Sequence, residues 1–142
     1  MRNRRLAVPV LLVSLVLGGA TTALASKRAS RSQAGAVAEA VRSSPVGGIN
    51  RVPTGRYTVT NVRVSTVSPA WAMASVRPTK AFRNRFQSAT VVAVKPAGTR
   101  RWVVVDLGSA EVGCGIAPDA VLADLLGLKS GEAPCPPGEG IT

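Results

Sequence analysis

Residues 89–107 read ATVVAVKPAGTRRWVVVDL, and this stretch decides the fold. Ala89–Lys95 and Arg101–Leu107 are runs of β-branched side chains separated by the turn chemistry Pro96-Ala97-Gly98-Thr99. They predict an antiparallel hairpin with Gly98 at positive φ. Both runs are apolar on both faces rather than alternating, so the hairpin lies centrally in a sheet and needs cover on two sides. One cover is a helix; the other is the C-terminal segment or a second subunit. Trp102 within the hairpin reads as core rather than as an exposed stacking platform, and Trp71 reads the same way.

Upstream, Ala70–Arg77 (AWAMASVR) predicts a strand that puts Trp71 and Met73 on one face and ends at Pro78. Arg56–Val67 (RYTVTNVRVSTV) alternates, but Tyr57 and Val59 fall on one phase while Val62 and Val64 fall on the other. A change of phase inside one strand predicts a bulge near Thr60 and Asn61, where an extra residue returns the apolar set to the core side. Ala34, Val37, Ala40 and Val41 recur at helical spacing, which predicts a helix over 33–43 with Ser32 as N-cap and Pro45, Gly47 and Gly48 as stops. Residues 26–32 (SKRASRS) have no apolar period and read as a flexible basic leader.

Downstream, Pro118 and Asp119 open a short helix carrying Val121, Leu122, Leu125 and Leu126, and Gly127 stops it. Cys114 and Cys135 bracket that helix. An even cysteine count in an exported chain favours a disulfide, which stabilises by roughly 3 kcal/mol through lost unfolded-chain entropy. The expected fold class is therefore α+β: an N-terminal helix packed on a four-stranded antiparallel meander (near 56–67, 70–77, 89–95 and 101–107), with a short disulfide-tied C-terminal helix. Residues 33–142 read as a single secreted domain.

Export itself is read from residues 1–25, MRNRRLAVPVLLVSLVLGGATTALA. Arg2, Arg4 and Arg5 precede an apolar run from Leu6 to Leu17, and Ala23-Leu24-Ala25 is a small-x-small cleavage site, so this is a signal peptide with Ser26 as the first mature residue. Left uncleaved, the same segment is long enough to anchor the chain in a membrane. No Cys follows it to accept a lipid. In either case the remainder is secreted or faces outward from the cell envelope.

The hairpin followed by SAEVGC, from Ala89 to Cys114, resembles a pattern found in small exported proteins of unknown function from high-GC Gram-positive bacteria. The resemblance extends to the N-terminal helix, the Val-rich strand, Cys135 and the leader. A helix followed by an antiparallel meander is also similar to the cystatin-like arrangement, in which a sheet wraps one helix. Cystatins inhibit cysteine proteases through a Gln-Val-x-Val-Gly loop. The nearest text here, Val91-Val92-Ala93-Val94, lacks both the Gln and the Gly, so inhibition does not carry over.

Charge is segregated along the chain. Residues 26–105 hold fourteen Lys and Arg and one acid, Glu39, whereas 106–142 hold Lys129 against six acids. Either the acidic segment folds back across the basic body, or a basic face attracts polyanions in a salt-dependent way. For an exported bacterial protein those are wall polymers, lipid headgroups and nucleic acid. Within 79–88 (TKAFRNRFQS), Lys80, Arg83 and Arg85 interleave with Phe82 and Phe86. The plainer reading of that segment is a loop pinned by its two Phe residues with solvated cations. With Arg100 and Arg101 these three cations form the candidate anion-binding set.

The chain has no His, which removes the commonest general base and metal ligand. Asp106 and Glu111 are the nearest approach to a carboxylate pair, and read more simply as surface acids paired with Arg100 or Arg101. No phosphate-cradling or calcium loop, redox CxxC or specific nucleic-acid motif is present. Catalytic residues, metal and cofactor are therefore each expected to be none. The expectation is a non-catalytic secreted or wall-associated protein that binds anionic surface polymer. The alternative is a secreted inhibitor or assembly partner of an exported enzyme.

Overall fold

The computed structural model describes residues 26–138. Residues 1–25, read above as a signal peptide, and the last four residues lie outside the described residues. Five strands, β1 Lys27–Arg28, β2 Tyr57–Val64, β3 Trp71–Pro78, β4 Ala89–Val94 and β5 Val103–Gly108, form one antiparallel sheet in chain order. Two α-helices flank it, α1 Arg31–Ser43 and α2 Asp119–Leu126. The architecture is α+β, with five strands rather than the expected four and with short 3₁₀ segments at Val46–Arg51, Thr54–Arg56 and Lys80–Phe82.

The extra strand comes from the residues read as a flexible leader. Lys27 pairs with Val64 and Arg28 with Arg63, and Ala29 N donates to Val62 O at 3.0 Å. Ser26 is buried. A two-residue strand has no periodicity to read, so its pairing is set by β2 and by the helix that follows. That helix starts earlier than its apolar period indicates. Ser30, not Ser32, is the N-cap, and with Gln33 it forms a reciprocal capping box.

The hairpin forms with Gly98 at φ 76°, as the sequence predicts, but it is not central: β4 lies inside the sheet while β5 is an edge strand, because the meander continues on the other side through β3, β2 and β1. The bulge in β2 also forms where the phase changes. Thr60 pairs with Ser75 and Arg63 with Met73, so two residues on β2 face one on β3, and Asn61 takes φ 52°. A second irregularity, between the Val92–Asp106 and Ala93–Val104 pairs, makes Val105 the additional residue of β5.

Both faces of the sheet are covered. Val37 and Val41 of α1 pack with Val62, Val64, Ala72, Ala74, Val91, Ala93, Trp102 and Val104 in the larger core. On the other face Val121, Leu122 and Leu125 of α2 pack on Met73 and Val92, with Trp71 half-buried beside them. Gly113, at φ 88°, passes beneath α2, where a Cβ would lie 2.7 Å from Leu122 Cδ2. The left-handed backbone together with the close Leu122 and Val92 side chains favours glycine at that crossing.

The Cys114–Cys135 disulfide spans 5.7 Å between Cα atoms and closes the segment that contains α2. Both half-cystines also pack against the α2 core. Replacing both cysteines by serine is expected to lower stability by about 3 kcal/mol, read as an earlier urea midpoint than that of the oxidised protein. An unchanged midpoint would mean that α2 is held by packing alone.

Candidate anion-binding surface

Consecutive connections of a meander alternate between the two ends of its sheet, and this divides the five sequence-selected cations. Lys80, Arg83 and Arg85 lie in the β3–β4 connection at one end; Arg100 and Arg101 lie in the β4–β5 connection at the other. All five side chains are exposed. The set is therefore not one site.

The first end is the better assembled. Thr79 N donates to Arg56 O at 2.9 Å, which ties the start of the β3–β4 connection to the residue before β2. Phe82 and Phe86 are half-buried with ring centroids 6.2 Å apart, and the Arg56 guanidinium carbon lies 5.1 Å from the Phe82 centroid. Backbone bonds from Arg85 N and Phe86 N to Phe82 O close the turn. The two rings thus act as anchors, and the cations around them stay in solvent. Arg56 and Arg77 join Lys80, Arg83 and Arg85 here, since Tyr57 pairs with Pro78 and Thr58 with Arg77. The sequence reading missed these two. Their signal was position: one opens a strand and the other nearly closes its neighbour, at the end from which the loop leaves.

At the opposite end Arg100 and Arg101 line an open cleft of about 440 Å³ beside α1, which includes Glu39. Lys95 Nζ sits 4.8 Å from the Trp102 ring centroid, and Trp102 itself is buried, so it offers no free stacking face.

The acids do not neutralise this surface. Among the described residues the one ion pair is Arg42 with Glu39, at 3.6 Å on α1. Asp106 does not pair with Arg100 or Arg101; it accepts from Leu107 N at 2.8 Å and Gly113 N at 2.6 Å, fixing the loop that leads to Cys114. Glu132 accepts from Lys129 N. Asp124 is buried and accepts from Ser65 Oγ at 2.7 Å, Thr66 N at 2.7 Å, Thr66 Oγ1 at 3.1 Å and Val67 N at 3.4 Å. Burial pushes its carboxyl up, but the hydrogen bonds from Ser65, Thr66 and Val67 together outweigh that and hold it below the usual carboxylate range. Each of these carboxylates serves the fold.

Among the described residues no group of three or more His, Cys, Asp and Glu could hold a metal ion, and no helix is long and apolar enough to cross a membrane. Among the described residues Tyr57 is the one ionisable group driven toward its neutral form. Burial raises its pKa against the opposing pull of Arg42, and its hydroxyl has no hydrogen-bond partner. Comparison with protein-family models, with curated proteins and with solved structures found no match.

Proposed function

We propose that this is a non-catalytic exported protein, secreted or held at the outer face of the envelope, that binds anionic wall polymer through one end of its sheet. The observation that carries the reading is the convergence of Arg56, Arg77, Lys80, Arg83 and Arg85 at that end, exposed and, among the described residues, with no carboxylate paired to any of them. Exposed cations on a firmly tied loop raise the local concentration of a polyanion without needing a shaped pocket. Export is supported by the Cys114–Cys135 disulfide, which belongs to an oxidising compartment, and by the signal pattern of residues 1–25. The large apolar side chains that are exposed, Val67, Val103, Ile116 and Leu126, come from four separate segments.

The test is capture from culture fluid and cell-wall material, followed by elution in a salt gradient. Anionic polymer leaving at modest salt is the expected result, since contacts between exposed charges weaken as the screening length falls below about 10 Å. A stoichiometric protein that stays bound at high salt would replace this reading with that of an inhibitor or assembly partner.

A further inference from the structure

On the second face of the sheet α2 stops at Leu126, and beyond it an open cleft of about 590 Å³ is left between the helix, the sheet and the N-terminal strand. That volume is within the range of small-ligand sites, about 300–1,000 Å³. Its lining combines three chemistries: guanidinium groups from Arg28 and Arg63, hydroxyls from Ser75 and Thr90, and an apolar wall of Met73 and Leu126.

The strand register explains how they meet. Arg28 lies opposite Arg63, and Arg63 opposite Met73, in one row across β1, β2 and β3. The next row reads Thr60, Ser75, Thr90 across β2, β3 and β4. The arginine row is hard to account for by folding alone. Like charges directly opposite on neighbouring strands repel, and neither arginine has a carboxylate partner among the described residues. Arg63 Nη2 makes one long bond, 3.4 Å, to Ser26 O, which leaves most of its donor fork free. A row of hydroxyls crosses β2, β3 and β4 beside the arginines, and Thr60 Oγ1 is shielded from solvent with no hydrogen-bond partner.

We propose that this cleft binds an anionic sugar, meaning a sugar phosphate or a uronic acid. The oxyanion lies between Arg28 and Arg63, where it relieves their repulsion and accepts from both guanidinium groups. The sugar hydroxyls exchange hydrogen bonds with Ser75 and Thr90, and the C–H face of the ring rests on Met73 and the half-exposed Leu126. Phosphate alone satisfies only the arginines and an uncharged sugar only the hydroxyls, so neither reproduces the full set. Arg83 and Arg85 take no part, and the inference stands whether or not the basic end of the sheet binds polymer.

The test is an amide-shift titration of the isotope-labelled oxidised protein with glucose 6-phosphate and with glucuronate, alongside inorganic phosphate and glucose. The expected result is saturable shifts centred on Arg28, Arg63, Ser75 and Thr90 for at least one acidic sugar, with phosphate or glucose alone binding about tenfold more weakly or less. Arg63→Gln is expected to weaken binding by about tenfold. Arg28→Gln, on the two-residue edge strand, gives the same reading if the β2 variant does not fold. The double variant Arg83→Glu, Arg85→Glu is expected to bind the sugar unchanged. Absence of saturation with both acidic sugars, equal affinity for phosphate alone, or shifts confined to 77–86 would each overturn the proposal.

Discussion

Replacing Asp124 by alanine is expected to destabilise the protein by about 4 kcal/mol, since hydrogen bonds to a buried charge are worth about 1.5–3 kcal/mol each and the buried Ser65 hydroxyl loses its acceptor. Asp124 sits on α2 but serves the β2–β3 turn. Its Oδ2 accepts from Ser65 Oγ, Thr66 N and Val67 N, and its Oδ1 from Thr66 Oγ1. Ser65 Oγ in turn accepts from Val67 N and Ser68 N, both at 3.1 Å. One carboxylate therefore fixes a tight turn and locks the covering helix to the sheet. For a domain of this size the loss corresponds to a fall in Tm on the order of 15 °C. The same group sets an acid limb. Its folded-state pKa lies below the unfolded value, so the stability it supplies is full above the ordinary carboxylate range and is lost as pH falls through the lower folded value. Urea midpoints measured from neutral pH down to the acid limb should therefore separate the wild type from Asp124→Ala most at neutral pH and least in acid. A constant separation would mean that the substitution acts through packing and not through the charge.

Much of this arrangement is legible in the chain before any coordinates. The hairpin at 89–107, the bulge at Thr60 and Asn61, the Cys114–Cys135 link and the helix after Pro118 each have a local signature, because turn residues, phase and spacing are themselves the physical cause of the structure. What escaped has causes that are not local. Lys27 and Arg28 become a strand because β2 offers them an edge, and two residues carry no pattern of their own. Ser30 caps α1 because Gln33 completes its box, a spacing outweighed in the reading by the apolar period that begins later. The irregularity at Val105 is hidden inside three consecutive valines, where a slip of phase leaves no mark. The partner of Asp124 lies 58 residues away at Thr66, a distance at which sequence gives no pairing. For the candidate site, the basic loop at 79–88 and its exposed arginines were readable, whereas grouping them with Arg100 and Arg101 failed because successive turns of a meander face opposite ways.

That division of the cations gives the second large effect. Reversing Arg83 and Arg85 to glutamate removes two attractive charges from the basic end and adds two repulsive ones. At about 1 kcal/mol per basic residue near an anionic surface, the change is about 4 kcal/mol, or roughly a thousandfold in affinity. Both side chains are exposed and neither forms an ion pair or a side-chain hydrogen bond among the described residues, so the fold and its Tm should be preserved. Reversing Arg100 and Arg101 changes the net charge by the same amount at the far end of the sheet. The most direct measurement is therefore retention of three proteins on isolated anionic wall material at low salt: the wild type, Arg83→Glu with Arg85→Glu, and Arg100→Glu with Arg101→Glu. The account predicts that retention is lost in the first variant and largely kept in the second. Equal retention of all three, or equal loss in both variants, would contradict a binding surface at this end of the sheet.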